Sequence, residues 1–321
     1  MADYYVAFWN VENLFDVQNS PRRTDKLQRT LAGELSGWTQ GVLDKKTANL
    51  ASVIMKMNGS RGPDLLGVCE IENQHVLGLL RDALHPLNRH YEIVHDDASD
   101  ERGIDVAFIY DSALFEATER FMHFIVKRVA TREIFQVNFA IKGTNPEKLL
   151  VVIGNHWPSR LGGLYESEPY RIVAGETLAY FHERIREIHG QNVAVLVMGD
   201  FNDEPFRRSL VDHALSESIR LKVTLSRTPR LWNLMWPLLG QGLATYFHEN
   251  DGALIDQLLI SKGLVTGTSG VKALPETIEV IRYPEMVSPG TYPAPRRFGR
   301  GVNRDEQGFS DHFPIALTLR A

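Results

Sequence analysis

Residues 195–205, VLVMGDFNDEP, pass from an apolar run into Asp200, Phe201, Asn202 and Asp203. The run reads as a buried strand, and the cluster after it has two readings. Asp and Asn commonly end strands as turn residues, because their side chains bond nearby backbone and accept tight conformations. Taken alone, the turn reading wins. The pattern recurs, however. AFWN closes on Asn10, with Glu12 two residues on, and LLGVCE closes on Glu70. VVIGNHW carries Asn155 and His156, ALIDQLLIS embeds Asp256, and FSDHFPI presents Asp311 and His312 as another strand begins. Asp105, inside GIDVAFIY, is equally out of place. An Asp among Leu and Ile opposes strand propensity, and a buried carboxylate must find a donor, a cation or water.

The chain has 321 residues, 43% of them hydrophobic and 23% charged, with five Trp and fifteen Phe. That composition suits a folded protein with a large core, and we expect one domain over residues 1–321. A net charge of −5 repels nucleic acid at long range, so any polyanion needs a local basic site. The single cysteine, Cys69, excludes an intramolecular disulfide and a thiolate metal cluster. The opening MADYYVAFWN lacks the marks of a secretion signal. No apolar run approaches the ~18–20 residues that span a bilayer, so no transmembrane segment is expected. The default location is cytoplasmic, or secreted or periplasmic if a signal has been removed.

Strand-like and helical patterns alternate throughout, which indicates a mixed α and β fold. Expected strands are YYVAFWN, DLLGVCE, YEIVH, IDVAFIY, IFQVNFAIK, KLLVVIGNHW, NVAVLVMGD, ALIDQLLIS and HFPIALTL. Leu50, Val53, Ile54 and Met57 fall at helical spacing, as do Val76, Leu79, Leu80 and Ala83. The clearest helix follows Ser167, with Tyr170, Val173, Ala174, Thr177, Leu178, Phe181, Ile185 and Ile188 as its apolar stripe and Gly190 as its stop. Residues 16–44 are polar and weakly patterned. Residues 282–310 form a long Pro-, Gly- and Arg-rich loop that ends before SDH, and loops of this length in compact domains commonly serve a site. The aromatic stretch LWNLMWPLLGQGL, residues 231–243, reads as core or a partner contact, with a lipid-facing loop or base-stacking platform as alternatives.

Taken together, the carboxylates and carboxamides are the hard oxygen ligands a Mg²⁺-type ion prefers. Two histidines with carboxylate neighbours add groups that move protons or hold an oxyanion. The parts suit metal-assisted phosphoester hydrolysis.

WNVEN, GVCEIEN, GNHWPSR, MGDFND, LIDQLLIS and FSDHFPI occur in the order and approximate spacing of the endonuclease/exonuclease/phosphatase superfamily, and the sequence resembles that superfamily from residue 6 to 319. The superfamily includes pancreatic-type deoxyribonuclease, apurinic-site endonucleases, inositol polyphosphate 5-phosphatases and bacterial sphingomyelinases. NVENLFD and HWPSR with its following glycines resemble a bacterial subgroup.

The resemblance implies a four-layered α/β sandwich of two packed, mostly antiparallel mixed sheets flanked by helices. It implies that Asn10 and Glu70 are metal-site residues, Asp311 a second metal-side ligand, and Glu12 an assistant acting through water. Asp200 and Asn202 resemble the pair that orients the attacking water and contacts the scissile phosphate. His312 resembles the catalytic imidazole oriented by Asp256, and His156 the histidine facing phosphate or leaving group. Relatives supply a glutamate partner for that histidine just ahead of the GIDVAFIY-type strand. Here Glu101, Arg102 and Asp105 are on offer, and Asp105 is preferred because a carboxylate within a strand needs a partner.

The implied cofactor is Mg²⁺, with Mn²⁺ or Ca²⁺ as substitutes. Asn155, with Glu12, Asp105 and Arg160, is a candidate either to support the site residues from behind or to contact the phosphate. Arg160 and Arg171 are candidate phosphate clamps, and Arg296, Arg297, Arg300 and Arg304 a candidate basic loop for nucleic acid. A nuclease or phosphodiesterase ranks first, a phosphatase or phosphodiesterase on a small or lipid phosphoester second, and a non-catalytic binding module third. Oligomeric state is not legible.

Overall fold

A computed structural model describes residues 1–98, 103–126 and 131–321. In chain order its strands are β1 (Asp3–Leu14), β2 (Leu65–Ile71), β3 (Tyr91–His95), β4 (Asp105–Asp111), β5 (Phe115–His123), β6 (Ile134–Ile141), β7 (Lys148–His156) and β8 (Ala194–Asp200). They continue with β9 (Ser216–Glu217), β10 (Leu231–Asn233), β11 (Tyr246–His248), β12 (Asp251–Ala253), β13 (Asp256–Ile260), β14 (Lys272–Val280) and β15 (Ile315–Arg320). The larger helices are α2 (Gln40–Ser60), α3 (Gln74–Ala83) and α4 (Leu164–His189), with a short α1 (Asp25–Thr30) ahead of them.

One sheet runs β14-β15-β1-β2-β4-β3, the other β5-β6-β7-β8-β13-β10-β9. Only β1–β2, β7–β8 and β9–β10 pair in parallel, so both sheets are mixed and mostly antiparallel. β4, β6 and β8 are buried along their whole length. Such strands have one face on the opposing sheet and the other beneath helices or loops. Between the sheets lie Phe8, Phe108, Phe135, Phe139, Leu196 and Leu258. Outside the first sheet, Trp9, Val68 and Ile109 meet Leu50, Ile54 and Leu80 of α2 and α3. Outside the second, Val151 and Val195 meet Ala174, Leu178 and Ile185 of α4. These are the four layers of the expected sandwich.

Two glycines set the close approach of the sheets. A Cβ on Gly67 would lie 2.6 Å from Met198 Sδ, and one on Gly154 would lie 2.5 Å from Val106 Cγ1. A larger residue there would have to displace Met198 or Val106 and the phenylalanines beside them.

All nine expected strands form. The structure adds β5, β9 and β14, which are edges of their sheets, together with the short β10, β11 and β12. An edge strand needs little apolar pattern. β14 even holds Pro275, inside a break in its register with β15 between Leu274 and Glu279. Residues 16–44 are not one loop: they contain α1 and the first turns of α2, where Thr39 caps Val42 N. Phe15, Leu31, Leu35, Trp38 and Phe298 give this segment its own apolar cluster.

α4 starts at Leu164, ahead of Ser167, and its buried line includes Arg171, Ala174, Leu178, His182 and Ile185, while Tyr170 and Ile188 are exposed. The expected stripe is therefore rotated, because an ion pair lets Arg171 take a core position. In the 231–243 stretch, Leu231, Leu234, Met235 and Leu238 are buried, which is the core reading. Among the described residues, no helix is long and apolar enough to cross a membrane.

Candidate active site

Strand register assembles one half of the site. In β8, Asp200 sits opposite His156 of parallel β7 and opposite Asp256 of antiparallel β13. Three polar residues separated by many positions in sequence thus share one row. The other sheet contributes β1, where Asn10 is level with Cys69, and the next residue of β2, Glu70, turns out of register with a φ of 65°. The approach to β15 is pinned to β1: Trp9 Nε1 donates to His312 O at 2.8 Å, and Ser310 Oγ donates to Asn10 O at 2.6 Å. His312 and Asp311 are thereby held over the ends of both sheets.

His312 Nδ1 and Asp256 Oδ2 are 2.8 Å apart. On its other side, His312 Nε2 lies 3.8 Å from Asp200 Oδ2 and 4.0 Å from Asp311 Oδ1. Asn10 Nδ2 donates to Asp200 Oδ2 at 3.1 Å and to Glu70 Oε1 at 3.2 Å, so one amide braces two carboxylates. His156 Nε2 lies 3.6 Å from Glu70 Oε1 and 3.8 Å from Asp200 Oδ2.

Burial pushes Asp200 up to about 6, although His312 opposes the shift. Burial of its surroundings and then Glu12 push Asp311 up to about 7. Burial disfavours a charged His312, yet Asp256 and Asp200 hold its pKa well above the ordinary value. The chemistry of the donor set fits a divalent cation: Glu70 and Asp311 offer crowded, partly accessible carboxylates that gain from a positive partner. Asp200, Asp256 and His312 also lie close enough together to hold an ion, but Asp256 already engages Nδ1, which makes this group better suited to proton transfer.

A family model described as "Endonuclease/Exonuclease/phosphatase family" matches residues 5–321. The chain belongs to the endonuclease/exonuclease/phosphatase family. No curated protein matches the sequence significantly. Among solved structures, a Bacteroides thetaiotaomicron mannosyl-6-phosphatase is similar at 16% identity and a TM-score of 0.57, over 99% of this chain and 100% of that one. The human Nocturnin catalytic domain with bound sulfate shares 14% identity and a TM-score of 0.57, over 99% and 94%. A humanized D. rerio TDP2 shares 14% identity and a TM-score of 0.59, over 99% of each chain. Likeness at these identities is one of fold.

Several sequence expectations need correction in this endonuclease/exonuclease/phosphatase family chain. Asp105 does not meet His156: it bonds His95 Nε2 at 2.9 Å and accepts from Ala98 N at 3.0 Å. The partner is His95 because β3 runs beside β4, a long-range pairing that local sequence does not reveal. Glu101 and Arg102 lie outside the described residues. Asn155 is fully buried, donating to Ile153 O and Met198 O and accepting from Trp157 Nε1, so it does not reach a phosphate.

Arg160 donates to Asn202 O at 2.6 Å and pairs with Asp203 and Glu204, bracing the loop after β8. Arg171 is wholly buried, 2.8 Å from Asp203 Oδ2, and cannot clamp a substrate. Asp203 is therefore more than a turn residue. Asn202 Nδ2 donates to Trp157 O, and its backbone N–H donates to Asp200 Oδ1, which makes it a brace for Asp200. Glu12 accepts from Arg297 Nε, Phe298 N and Gly299 N, anchoring the 282–310 loop with its carboxylate already engaged. In that loop Arg296 pairs with Asp305, Arg300 with Glu34 and Arg304 with Glu306, leaving Arg297 at the site, 3.6 Å from Asp311.

Two residues beside the candidate site were not anticipated. The Tyr246 ring lies 5.0 Å from the His312 ring and is tilted 40° to it, across an isolated bridge between their backbones. Lys46 is fully buried, donates to Glu12 O, and lies 4.9 Å from the Phe298 ring centroid. Burial lowers its pKa to about 8. A signal for Lys46 existed: Leu43, Lys46, Thr47 and Leu50 share one helical face.

Proposed function

We propose that the chain hydrolyses a phosphoester by attack of water at phosphorus, with a divalent metal ion, Mg²⁺ or in its place Mn²⁺ or Ca²⁺. The observation that carries the reading is the 2.8 Å His312–Asp256 pair set against Asp200, with Glu70 and Asp311 beside it. Glu70 and Asp311 would hold the ion, and Asn10 would orient Glu70. The ion, when bound, neutralises charge on the phosphoryl and leaving oxygens.

Asp200, braced by Asn10 and by Asn202 N, accepts a proton as the water oxygen bonds to phosphorus. His312, kept protonated by Asp256, donates a charge-assisted hydrogen bond to a phosphoryl oxygen. The P–O bond to the leaving group breaks, and His156 faces that oxygen.

A nuclease or phosphodiesterase and a phosphatase acting on a small ester share this machinery. The similar mannosyl-6-phosphatase and the extensive pairing of the loop arginines support the small ester. A binding module would instead hold ligand tightly without metal-dependent turnover.

The test is a panel of plasmid and single-stranded DNA, RNA, bis-p-nitrophenyl phosphate, p-nitrophenyl phosphate, sugar and inositol phosphates and sphingomyelin, assayed with each metal and with chelator. Turnover should vanish on chelation and fall roughly a hundredfold or more in His312→Ala and Asp200→Asn. Hydrolysis indifferent to chelator would overturn the metal reading, and near-normal turnover in either variant would overturn the residue roles.

A further inference from the structure

A cavity of about 860 Å³ lies at the same end of the first sheet as the candidate catalytic residues. It is lined from the ends of β2 and β3, the start of β4, and the segments around α1 and α3, and it includes Glu72, two residues beyond Glu70. Glu72 follows the end of β2, and two residues of chain span at most about 7 Å, so the backbone at the cavity's edge lies no farther than that from the backbone of Glu70, the residue proposed to hold the metal. Its volume falls within the range of pockets that enclose small ligands.

The lining is unusual in kind. Among the described residues that line it, eleven of fourteen are polar and none is Phe, Tyr or Trp. Its floor is fixed by buried ion pairs: Arg23 bonds both oxygens of Glu72, at 2.8 and 2.6 Å, and Asp105 bonds His95. Above this floor the rim is accessible. Asp97 is 86% exposed at its side chain and Arg22 is 49% exposed, with Gln74 and His75 beside them. Carboxylates, imidazoles, amides and a guanidinium thus line one open cavity.

Resting on the phosphoester-hydrolase reading above, we propose that this cavity is the recognition pocket for the leaving group, and that the group is polyhydroxylated: the substrate is a sugar or polyol phosphate. A hydroxyl both donates and accepts, so a ring of hydroxyls can satisfy Asp97 and Arg22 together. A nucleic-acid strand matches poorly. It would bring further phosphates against the carboxylates of Asp96, Asp97 and Glu72, and it would find no aromatic face for its bases. Among the described residues, a lipid tail would find only Leu27, Ala98 and Gly103 as apolar lining.

The test uses the full chain with Mg²⁺ or Mn²⁺ and compares kcat/KM for hexose phosphates, glycerol phosphate and inositol phosphates with that for p-nitrophenyl phosphate and a p-nitrophenyl nucleotide ester. At least one polyol phosphate should exceed p-nitrophenyl phosphate tenfold or more. Asp97→Ala with Arg22→Ala, outside the catalytic machinery, should raise KM for that substrate about tenfold with p-nitrophenyl phosphate turnover unchanged. Hydrolysis of the p-nitrophenyl esters with no polyol preference, or equal loss on both substrate classes in the variant, overturns the pocket and leaves the hydrolase reading standing. If no ester is cleaved, the hydrolase reading falls. Calorimetry with hexose phosphates then decides the pocket alone: binding that the double variant loses supports it, and no binding to the wild type overturns it.

Discussion

Asp200 carries a cost that follows from its place. Its pKa of about 6 in the fold lies above the 3.8 of a free aspartate. Folding therefore costs more with Asp200 ionised than with it protonated. The stability associated with the protonated form is complete below about pH 3.8 and is lost as the pH rises through about 6. Asp200→Asn cannot ionise, so in chelator it should be more stable than wild type at pH 8, by up to roughly 3 kcal/mol. The difference should close below pH 4. Urea titrations of both proteins at pH 4, 6 and 8 check this, and a variant less stable at pH 8 would refute it.

At this scale the sequence was informative about which residues are out of place and silent about their partners. Asp256 and Asp105 both announced themselves as acids inside apolar strands. The first meets His312 and the second His95, and both contacts depend on segments that only the folded chain brings together. Arg160 and Arg171 sit near His156 in sequence, yet both turn to Asp203.

Among elements, α4 is secured to the loop after β8 by Arg171, which also donates to Ser167 Oγ at 2.7 Å and to Leu164 O at 2.9 Å. Removing one partner of a buried pair leaves the other charged and dry. Arg171→Met should therefore destabilise the fold by about 3 kcal/mol or more, read as a lowered urea midpoint with the slope unchanged. A midpoint shift below a few tenths of a molar would show the pair to be dispensable.

The elements legible in sequence were those buried on both faces, β4, β6 and β8 above all, because apolar composition alone marks them. β5 and β14 escaped notice because an edge strand answers to hydrogen bonding more than to hydrophobic pattern. The start of α2 escaped because Lys46 and Thr47 interrupt the apolar face that Val42, Leu43 and Leu50 complete.

For the whole molecule, the net charge of −5 and the pairing of Arg296, Arg300 and Arg304 leave little positive field to gather a polyanion. Turnover of a small phosphoester should accordingly change by less than about twofold between 50 and 200 mM salt. An enzyme that neutralises many phosphates of a duplex loses roughly a thousandfold or more over that range, and a fall of that size would restore the nuclease reading. The mixed α and β character was readable from alternating patterns, while the two-sheet architecture was readable only through the resemblance to the family that six ordered motifs carry. The cavity beside the candidate site was not readable, because its walls come from four separated segments.

The division of the site between two sheets has a further consequence. Asn10 and Glu70 belong to one, while His156, Asp200 and Asp256 belong to the other, and His312 spans the gap from the turn before β15. Neither sheet holds a working half. A folding intermediate with one sheet formed, or a native molecule whose layers have opened briefly, would be inert. On the proposed residue roles, turnover begins only once the two layers have closed on each other, so its recovery during refolding would time that closure.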